Sequence, residues 1–181
     1  PELIADYCRN IGAAPNMVIR MTYPLEGNEK SIGLNFLENA AQRADALRAR
    51  DENQIVMAGP LELVQGGQAL IARMPVFIPP EQQFWGLLSV VLDINKIYVN
   101  SGLVSLSENY DVALQGRNGL GSQGDFFYGK SAILKNDPLD FIIHFPGGKW
   151  QMYASPKAGW HPPASAIWPL RLAIILFCVL F

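Results

Sequence analysis

The spacing of apolar and polar residues divides most of the chain into short strand-like runs separated by turn residues. The first four such runs cover residues 17–23, 55–64, 68–78 and 85–92. Gly66-Gly67 and Pro79-Pro80 stand at two of the joints, where glycine and proline favour turns. These runs predict four strands of one small sheet.

One helix is predicted among these strands. Asn39 is a typical N-cap residue, and Gln42 stands three positions later, as in a capping box. The helix is expected to run through Arg50. Its apolar face is expected to consist of Ala40, Ala44 and Leu47.

A second set of strands follows a short linking helix. Asp93 is expected to cap this helix, which covers residues 94–102. The strand-like runs after it cover residues 110–116, 126–134, 139–145 and 150–155. Turn residues separate these runs at Asn118-Gly119, Asp137-Pro138 and Gly147-Gly148. The whole pattern predicts an α+β protein with two stacked, mostly antiparallel sheet modules.

The N-terminal segment has the pattern of a helix. Residues 1–12 are interpreted as the last turns of a helix that begins upstream, with Gly12 at its end and Pro15 shortly after. The chain begins at Pro1 without a start methionine, so we expect a piece of a longer protein.

The C-terminal segment is a nearly unbroken apolar run. Residues 166–181 contain a single charge, Arg171, and Trp160 and Trp168 stand nearby, where indole rings favour the headgroup layer. A bilayer-spanning helix needs about 20 mostly apolar residues. We therefore predict the start of a transmembrane helix, with a buried C-terminal helix as the alternative.

Composition and charge exclude several classes of protein. Half of the 181 residues are apolar and the net charge is −2, so nucleic acid is not an expected partner. Cys8 and Cys178 give no disulfide framework, and His144 and His161 stand in no metal-binding pattern. Residues 119–124 spell G-x-G-x-x-G, but a strand follows them, so they are interpreted as a hairpin loop. No metal, cofactor or catalytic residue is predicted.

Ordered blocks within residues 15–93 resemble the CHASE domain. They read PNMVIR, YPLEGNE, ALRAR, AGPLEL, QGGQ, RMPVF and FWGLLSVVLD. The remainder up to Trp160 resembles the family more weakly and fits it in length. The resemblance implies an extracytoplasmic sensory module of receptor histidine kinases, diguanylate cyclases or phosphodiesterases. It also implies two PAS-like sheets beside a long N-terminal stalk helix, flanked by two membrane helices.

On this resemblance the chain divides into five parts. They are the end of the stalk helix (1–14), a membrane-distal PAS-like module (15–93), a connecting helix (94–106), a membrane-proximal PAS-like module (107–160) and the start of a transmembrane helix (161–181). The resemblance implies a homodimer in the cytoplasmic (inner) membrane, with this domain facing the periplasm or cell exterior. The catalytic output, a cyclase, phosphodiesterase or kinase, is expected outside this fragment, which is not expected to be an enzyme.

The resemblance also places a small-molecule ligand at the distal sheet. Where family members hydrogen-bond a ring nitrogen of the ligand with an acidic side chain, this chain has Asn35, which argues against an adenine-type ligand. Met57 falls where the family uses a backbone group. Both residues are therefore candidate ligand contacts.

Arg73 is the strongest candidate, because it shares one face of its strand with small and apolar residues. A buried guanidinium there needs a carboxylate or phosphate partner, so the expected ligand is a carboxylate or other anion. Alternatively, Arg73 pairs with Glu62 or reaches water. Arg20 presents the same choice. A ligand-free protein-interaction or dimerisation module is the alternative function.

Overall fold

The computed structural model describes residues 6–160, which form two antiparallel sheets and three short α-helices. The first sheet has the strand order β2-β1-β5-β4-β3. Its strands are β1 (Cys8–Pro15), β2 (Met21–Tyr23), β3 (Val56–Glu62), β4 (Gln68–Ile78) and β5 (Gln83–Asp93). Helix α1 (Ala40–Glu52) packs against β3, β4 and β5 on one face of this sheet.

The second sheet has the order β7-β6-β9-β8. Its strands are β6 (Tyr110–Gln115), β7 (Phe126–Tyr128), β8 (Leu139–Phe145) and β9 (Gly148–Pro156). Helices α2 (Ile94–Asn100) and α3 (Leu103–Asn109) connect the two sheets. Short 3-10 turns lie at Glu29–Ser31, Arg117–Gly119, Gly121–Gln123 and Ser131–Asn136. The predicted α+β class with two antiparallel sheets is confirmed.

The N-terminal segment corrects the predicted stalk helix. Asp6 and Tyr7 are helical, but Cys8–Pro15 is a strand that pairs with β2 on one side and β5 on the other. Ala14, fully buried, lies opposite Leu87. Several residues of this strand are small and have low strand propensity. A strand forms here nevertheless, because both of its edges are paired and tertiary pairing overrides intrinsic propensity. Residues 1–5 lie outside the described part of the chain.

Of the predicted apolar face of helix α1, only Leu47 packs against the core. Ala40 and Ala44 are exposed. The buried residues are Gln42, Asp45, Ala46 and Ala49. Asn39 holds the N-cap position, but its side chain makes no capping hydrogen bond, and Gln42 points into the protein. Two polar side chains of this helix are thus turned toward the sheet.

The linking segment begins as predicted and continues further. The Asp93 carboxylate accepts hydrogen bonds from the backbone N–H groups of Asn95 (3.0 Å) and Lys96 (3.1 Å), which confirms the predicted cap. The single predicted helix is two, because Gly102, with φ of +77°, turns the chain between them.

The strand predicted at 126–134 is shorter than expected. It ends at Tyr128, and residues Ser131–Asn136 form 3-10 turns. The strand ends before Gly129, because the φ of this residue is +68°, which is not a strand conformation. Only glycine fits there, since a Cβ would stand 2.0 Å from the carbonyl oxygen of Val112. The hairpin-loop interpretation of residues 119–124 is confirmed, because the loop joins the antiparallel strands β6 and β7.

A shared hydrophobic cluster joins the two sheets. It is formed by Leu70 of the first sheet, Ile94, Tyr98 and Leu103 of the linking segment, and Val112, Leu114 and Trp150 of the second sheet. The loop between β6 and β7 adds polar contacts, since Gly59 N–H donates to Asn118 Oδ1 at 2.7 Å and Arg48 Nη2 donates to Asn118 O at 3.2 Å. The sheets therefore contact each other through both apolar and polar groups.

No helix within residues 6–160 is long and apolar enough to span a bilayer. The predicted start of a transmembrane helix, residues 161–181, lies outside the described residues.

Candidate functional site

Arg73 is the largest side chain that the described structure buries completely, with 0% of its surface exposed. It stands in the middle of β4, between Val56 on β3 and Ser89 on β5. Residues directly opposite each other in antiparallel strands project to the same face. All three therefore share the face that α1 covers.

The guanidinium of Arg73 makes few contacts for a buried charge. Its Nη2 donates to Oε1 of Gln42 at 2.6 Å, and its central carbon lies 5.1 Å from the ring centroid of Phe36. Nε and Nη1 have no hydrogen-bond partner within the described chain. Burial lowers the pKa of Arg73 to about 10, with nearby Asp45 acting in the opposite direction. At neutral pH the side chain remains charged and incompletely paired.

Asp45 does not neutralise Arg73 by direct pairing. Its carboxylate is 3.4 Å from Nη2 of Arg48, and among the described residues no carboxylate lies within 4.0 Å of Arg73. Burial raises the pKa of Asp45, while the charges of Arg73 and Arg48 lower it. The neighbourhood thus holds two cations and one carboxylate, an arrangement that favours an additional anion.

A small cavity borders this cluster. Its walls include Gln42 and Phe36, which contact Arg73, and Ser89, its neighbour on β5. Asn10 of β1 adds another polar group. Ser89 Oγ and Asn10 Oδ1 are buried and unpartnered. Buried polar atoms without partners are rare, so several of them around one cavity indicate a binding site.

The cavity has a volume of about 30 Å³, enough for about one water molecule and well below the roughly 300 to 1,000 Å³ of a small-molecule site. Two segments cover it. Ser31 and Leu34 belong to the loop before α1, and Leu63 and Gln65 belong to the β3–β4 turn. Gln65 Nε2 donates to Asn28 Oδ1 at 3.3 Å and so ties the two covers together. A ligand larger than a water molecule requires one of them to move.

None of the four sequence-predicted candidates lines this cavity, although Arg73 contacts two of its wall residues, Gln42 and Phe36. Asn35 makes local contacts, donating from Nδ2 to Glu38 Oε1 at 2.8 Å and accepting from Leu37 N–H at 3.0 Å. Met57 lies next to Val56 on β3 and packs against the cluster between the sheets. Arg20 is exposed. The structure therefore does not bring these three side chains together with Arg73.

The alternative environments proposed for Arg73 do not occur. Glu62 is exposed and accepts from Gln68 Nε2 at 2.8 Å instead of pairing with Arg73. Water does not reach the guanidinium either, since none of its surface is exposed.

Sequence reasoning missed the other polar members of the site. Gln42 was interpreted as a capping residue, Asn10 as part of a helix, and Ser89 as one position in an apolar strand. A signal exists for two of them. Ser89 is a polar residue on a strand face that is otherwise buried and apolar, and Gln42 follows the same helical spacing as Ala46 and Ala49. Within residues 6–160, no group of three potential ligands is placed to hold a metal ion.

Comparison with solved structures finds the same fold in two receptor domains. An extracellular ligand-binding receptor from Desulfohalobium retbaense DSM5692 aligns with 82% of this chain at 14% identity and a TM-score of 0.59. The ligand-binding domain of the Pseudomonas aeruginosa PAO1 amino-acid chemoreceptor PctC, in complex with GABA, aligns with 85% at 12% identity and a TM-score of 0.50. This chain spans 30% of the first and 76% of the second. At such identities the likeness concerns the fold alone.

Comparison with curated proteins gives no match. Comparison with known families matches residues 8–128 to the CHASE domain. That range contains the blocks on which the sequence resemblance rests and amounts to well over half of the 181 residues. The chain therefore belongs to the CHASE domain family of sensory domains.

Proposed function

We propose that this chain is the extracytoplasmic sensor domain of a membrane-bound receptor and that it binds a small carboxylate at Arg73. One observation carries the proposal: a completely buried guanidinium retains two unpartnered nitrogens, and two side chains that it contacts, Gln42 and Phe36, line a cavity. A buried charge is costly unless it is paired and hydrogen-bonded. A carboxylate supplies the missing charge and accepts from these donors.

The neighbouring groups fit the same ligand. The carboxylate of Asp45 pairs with Arg48 and not with Arg73. An anion that binds at Arg73 therefore does not have to displace a carboxylate. Ser89 Oγ can donate to a second carboxylate oxygen, and Asn10 Oδ1 can accept from a hydroxyl or ammonium group elsewhere on the ligand. The site therefore favours a carboxylate that carries a donor group.

The effect of ligand binding at Arg73 must then be transmitted to the second sheet. Arg73 is electrostatically coupled to Asp45, Asp45 pairs with Arg48, and Arg48 donates to the backbone of Asn118 in the β6–β7 loop. We propose that a bound carboxylate neutralises Arg73 and so changes the relative strength of two contacts of Arg48, with Asp45 in the first module and with Asn118 in the second. This change would shift the relative arrangement of the two modules. The membrane segments would pass this shift to a cytoplasmic cyclase, phosphodiesterase or kinase.

The cellular setting is part of the same proposal. Membership of a sensory family supports a non-catalytic input role, and the two fold neighbours are described as ligand-binding parts of an extracellular receptor and of a chemoreceptor. We infer that the domain faces the periplasm or cell exterior in a homodimeric receptor of the cytoplasmic membrane.

A thermal-shift comparison of charged and neutral isosteres tests the ligand class. The 181-residue chain in mild detergent is titrated with acetate, propionate and succinate, and in parallel with acetamide, propionamide and succinamide. We expect the carboxylates to raise the melting temperature and the amides to have no effect. Stabilisation by the amides alone would contradict the proposal.

Two variants of Arg73 and one control assign the effect to this residue. A charge-assisted hydrogen bond contributes about 1.5 to 3 kcal/mol, so Arg73→Ala should weaken binding roughly ten- to a hundredfold. Arg73→Lys should restore only part of the affinity, since an ammonium lacks the planar guanidinium geometry. The exposed Arg20 offers the control, because Arg20→Ala removes the same charge away from the cavity. Unchanged binding in Arg73→Ala would make Arg73 a structural residue.

A contact surface without a ligand is the second candidate function. Edge strand β8 exposes Leu139, Phe141 and Ile142 by 50 to 54% of their surface. Exposed apolar groups on an edge strand favour pairing with another chain. Sedimentation of the wild type and of Phe141→Lys tests this function, which requires an association that the substitution abolishes.

A further inference from the structure

A second cavity lies apart from the residues that surround Arg73. It has a volume of about 540 Å³ and lies between helices α2 and α3 and the inner face of the second sheet. This volume falls within the range of small-molecule sites, about 300 to 1,000 Å³. Leu103 and Leu106 of the helices face Leu114 and Met152 of the sheet across it.

Two hydrogen-bond donors in the wall of this cavity have no partner. Tyr98 and Trp150 are 9% and 8% exposed, and the Tyr98 hydroxyl and the Trp150 Nε1 make no hydrogen bond within the described chain. When tyrosine and tryptophan are buried, these groups usually find an acceptor. Their presence in one wall indicates that an acceptor is missing.

Neighbouring rings fix both donors in position. The Tyr98 ring centroid is 4.9 Å from that of Tyr128, and the Trp150 indole lies between Phe127 at 5.0 Å and Phe145 at 4.9 Å. Burial also raises the pKa of Tyr98 to about 12, so the hydroxyl keeps its proton at physiological pH. A donor fixed in this way can orient a ligand acceptor without further ordering of the protein.

The lining of the cavity selects against charged ligands. It contains no Asp, Glu, Lys, Arg or His side chain, and its Ser101 hydroxyl already donates to the carbonyl of Tyr98 at 3.2 Å. A charged molecule would lose its hydration there without a counter-ion in the lining, since Arg117, whose charge acts on Tyr98, lies outside the lining and donates to the carbonyl of Pro60.

We propose that the cavity between α2, α3 and the second sheet is a second ligand site, which takes a neutral, mostly apolar molecule whose carbonyl or ether oxygen accepts from Tyr98 or Trp150. This site is independent of the carboxylate proposed at Arg73, because it lies on the far side of the first sheet. Its helices also carry the connection between the sheets, so an occupant would stiffen that connection.

Photolabelling with benzophenone tests the site directly, because this neutral ketone both fits the proposed class and forms covalent adducts where it binds. The full 181-residue chain in phosphatidylcholine nanodiscs is irradiated with benzophenone, and labelled peptides are identified by mass spectrometry. We expect adducts on peptides that contain Leu106 or Met152. The anion 4-benzoylbenzoate should label these peptides only at background level.

Matched substitutions separate this cavity from general surface labelling. Leu106→Trp fills the cavity and should reduce labelling at least about tenfold, whereas Leu134→Trp adds the same ring at a 49% exposed position outside the lining and should leave it unchanged. The double variant Tyr98→Phe with Trp150→Phe keeps an aromatic ring at each position and removes both donors, so labelling at low probe concentration should fall about three- to tenfold. Arg73→Ala should have no effect.

Three results would overturn the proposal. They are no adducts on cavity peptides, labelling that survives Leu106→Trp, and equal labelling by 4-benzoylbenzoate. If the double phenylalanine variant is labelled like the wild type, the two donors do not recognise an acceptor and the assignment of the ligand class fails.

Discussion

Replacing Arg73 by methionine should leave the stability of the ligand-free protein nearly unchanged, although Arg73 is the largest fully buried side chain described. Burial lowers the pKa of Arg73 to about 10. The unfolded chain therefore binds this proton more tightly, and at every pH below 10 folding loses about 3 kcal/mol relative to an exposed arginine. Methionine fills similar space and removes this penalty.

The losses on the other side are of similar size. The hydrogen bond to Gln42 contributes about 1.5 to 3 kcal/mol because its donor is charged, and the contact with Phe36 contributes up to about 2 kcal/mol. Gains and losses nearly cancel, so Arg73→Met should change the free energy of unfolding by less than about 2 kcal/mol. Breaking an ordinary buried ion pair costs about 3 to 5 kcal/mol.

A double-mutant cycle with Gln42→Leu sharpens the test. In the wild type this substitution removes the single hydrogen-bond partner of the Arg73 guanidinium in the described chain and should cost about 2 to 3 kcal/mol. In the Arg73→Met background it removes an orphaned carbonyl, so it should be neutral or stabilising. Urea unfolding in mild detergent gives the four free energies. A loss of more than about 4 kcal/mol for Arg73→Met would refute the reasoning and make Arg73 a residue of the folding core.

Three further predictions concern the scaffold, and each uses a residue whose surroundings isolate one effect. Gly147 and Gly159 have similar φ values, +77° and +79°. A Cβ at Gly147 would lie 2.8 Å from the backbone of β3, whereas a Cβ at Gly159 would touch nothing. Gly147→Ala should therefore reduce the free energy of unfolding by about 1 to 3 kcal/mol more than Gly159→Ala. Asp93→Ala should cost about 1 kcal/mol in urea unfolding, whereas Asn39→Ala, which removes no capping hydrogen bond, should cost less than about 0.5 kcal/mol. Burial raises the pKa of Tyr98 to about 12, above the value of about 10 in an unfolded chain. The wild type should therefore lose stability relative to Tyr98→Phe as the pH rises from 10 through 12 in alkaline unfolding. Parallel curves of stability against pH for the two proteins would contradict this.

The elements that the sequence predicted best have strong local boundaries. Residues 68–78 and 139–145 form strands over the predicted positions, since each run is bounded by Gly-Gly, Pro-Pro or Asp-Pro and is rich in strand-forming residues. Asp93 was identified as a cap because capping depends only on the next three residues. Local chemistry is enough in these cases.

The elements that were mispredicted depend on distant partners. Residues 8–15 become a strand because Met21–Tyr23 and Gln83–Asp93 supply both neighbours, which no local pattern reveals. The inward face of α1 was predicted correctly only at Leu47, because Gln42 and Asp45 are polar, and polar residues are normally placed outside. Their burial makes sense only with Arg73 opposite.

The candidate site shows the same division. Arg73 was recognisable because a charge within an apolar strand has few explanations. Gln42 is 31 residues away from it in sequence and contributes a single hydrogen bond, so nothing in its own surroundings marks it. Functional residues that act through one long-range contact are therefore the part of a site that a single sequence hides.

The loop between β6 and β7 joins the surroundings of Arg73 to the second sheet. The side-chain oxygen of Asn118 accepts from Gly59 N–H, and its backbone carbonyl accepts from Arg48. This one loop residue therefore contacts both the edge of the first sheet and helix α1. Gly59 lies beside Pro60, whose carbonyl accepts from Arg117 of the same loop. Arg48 shares Asp45 with Arg73 and also contacts this loop, so under the proposed function a change of charge at Arg73 would act on a side chain that links the two modules. The proposed coupling would need only a redistribution of Arg48 between two acceptors and no large movement within either sheet.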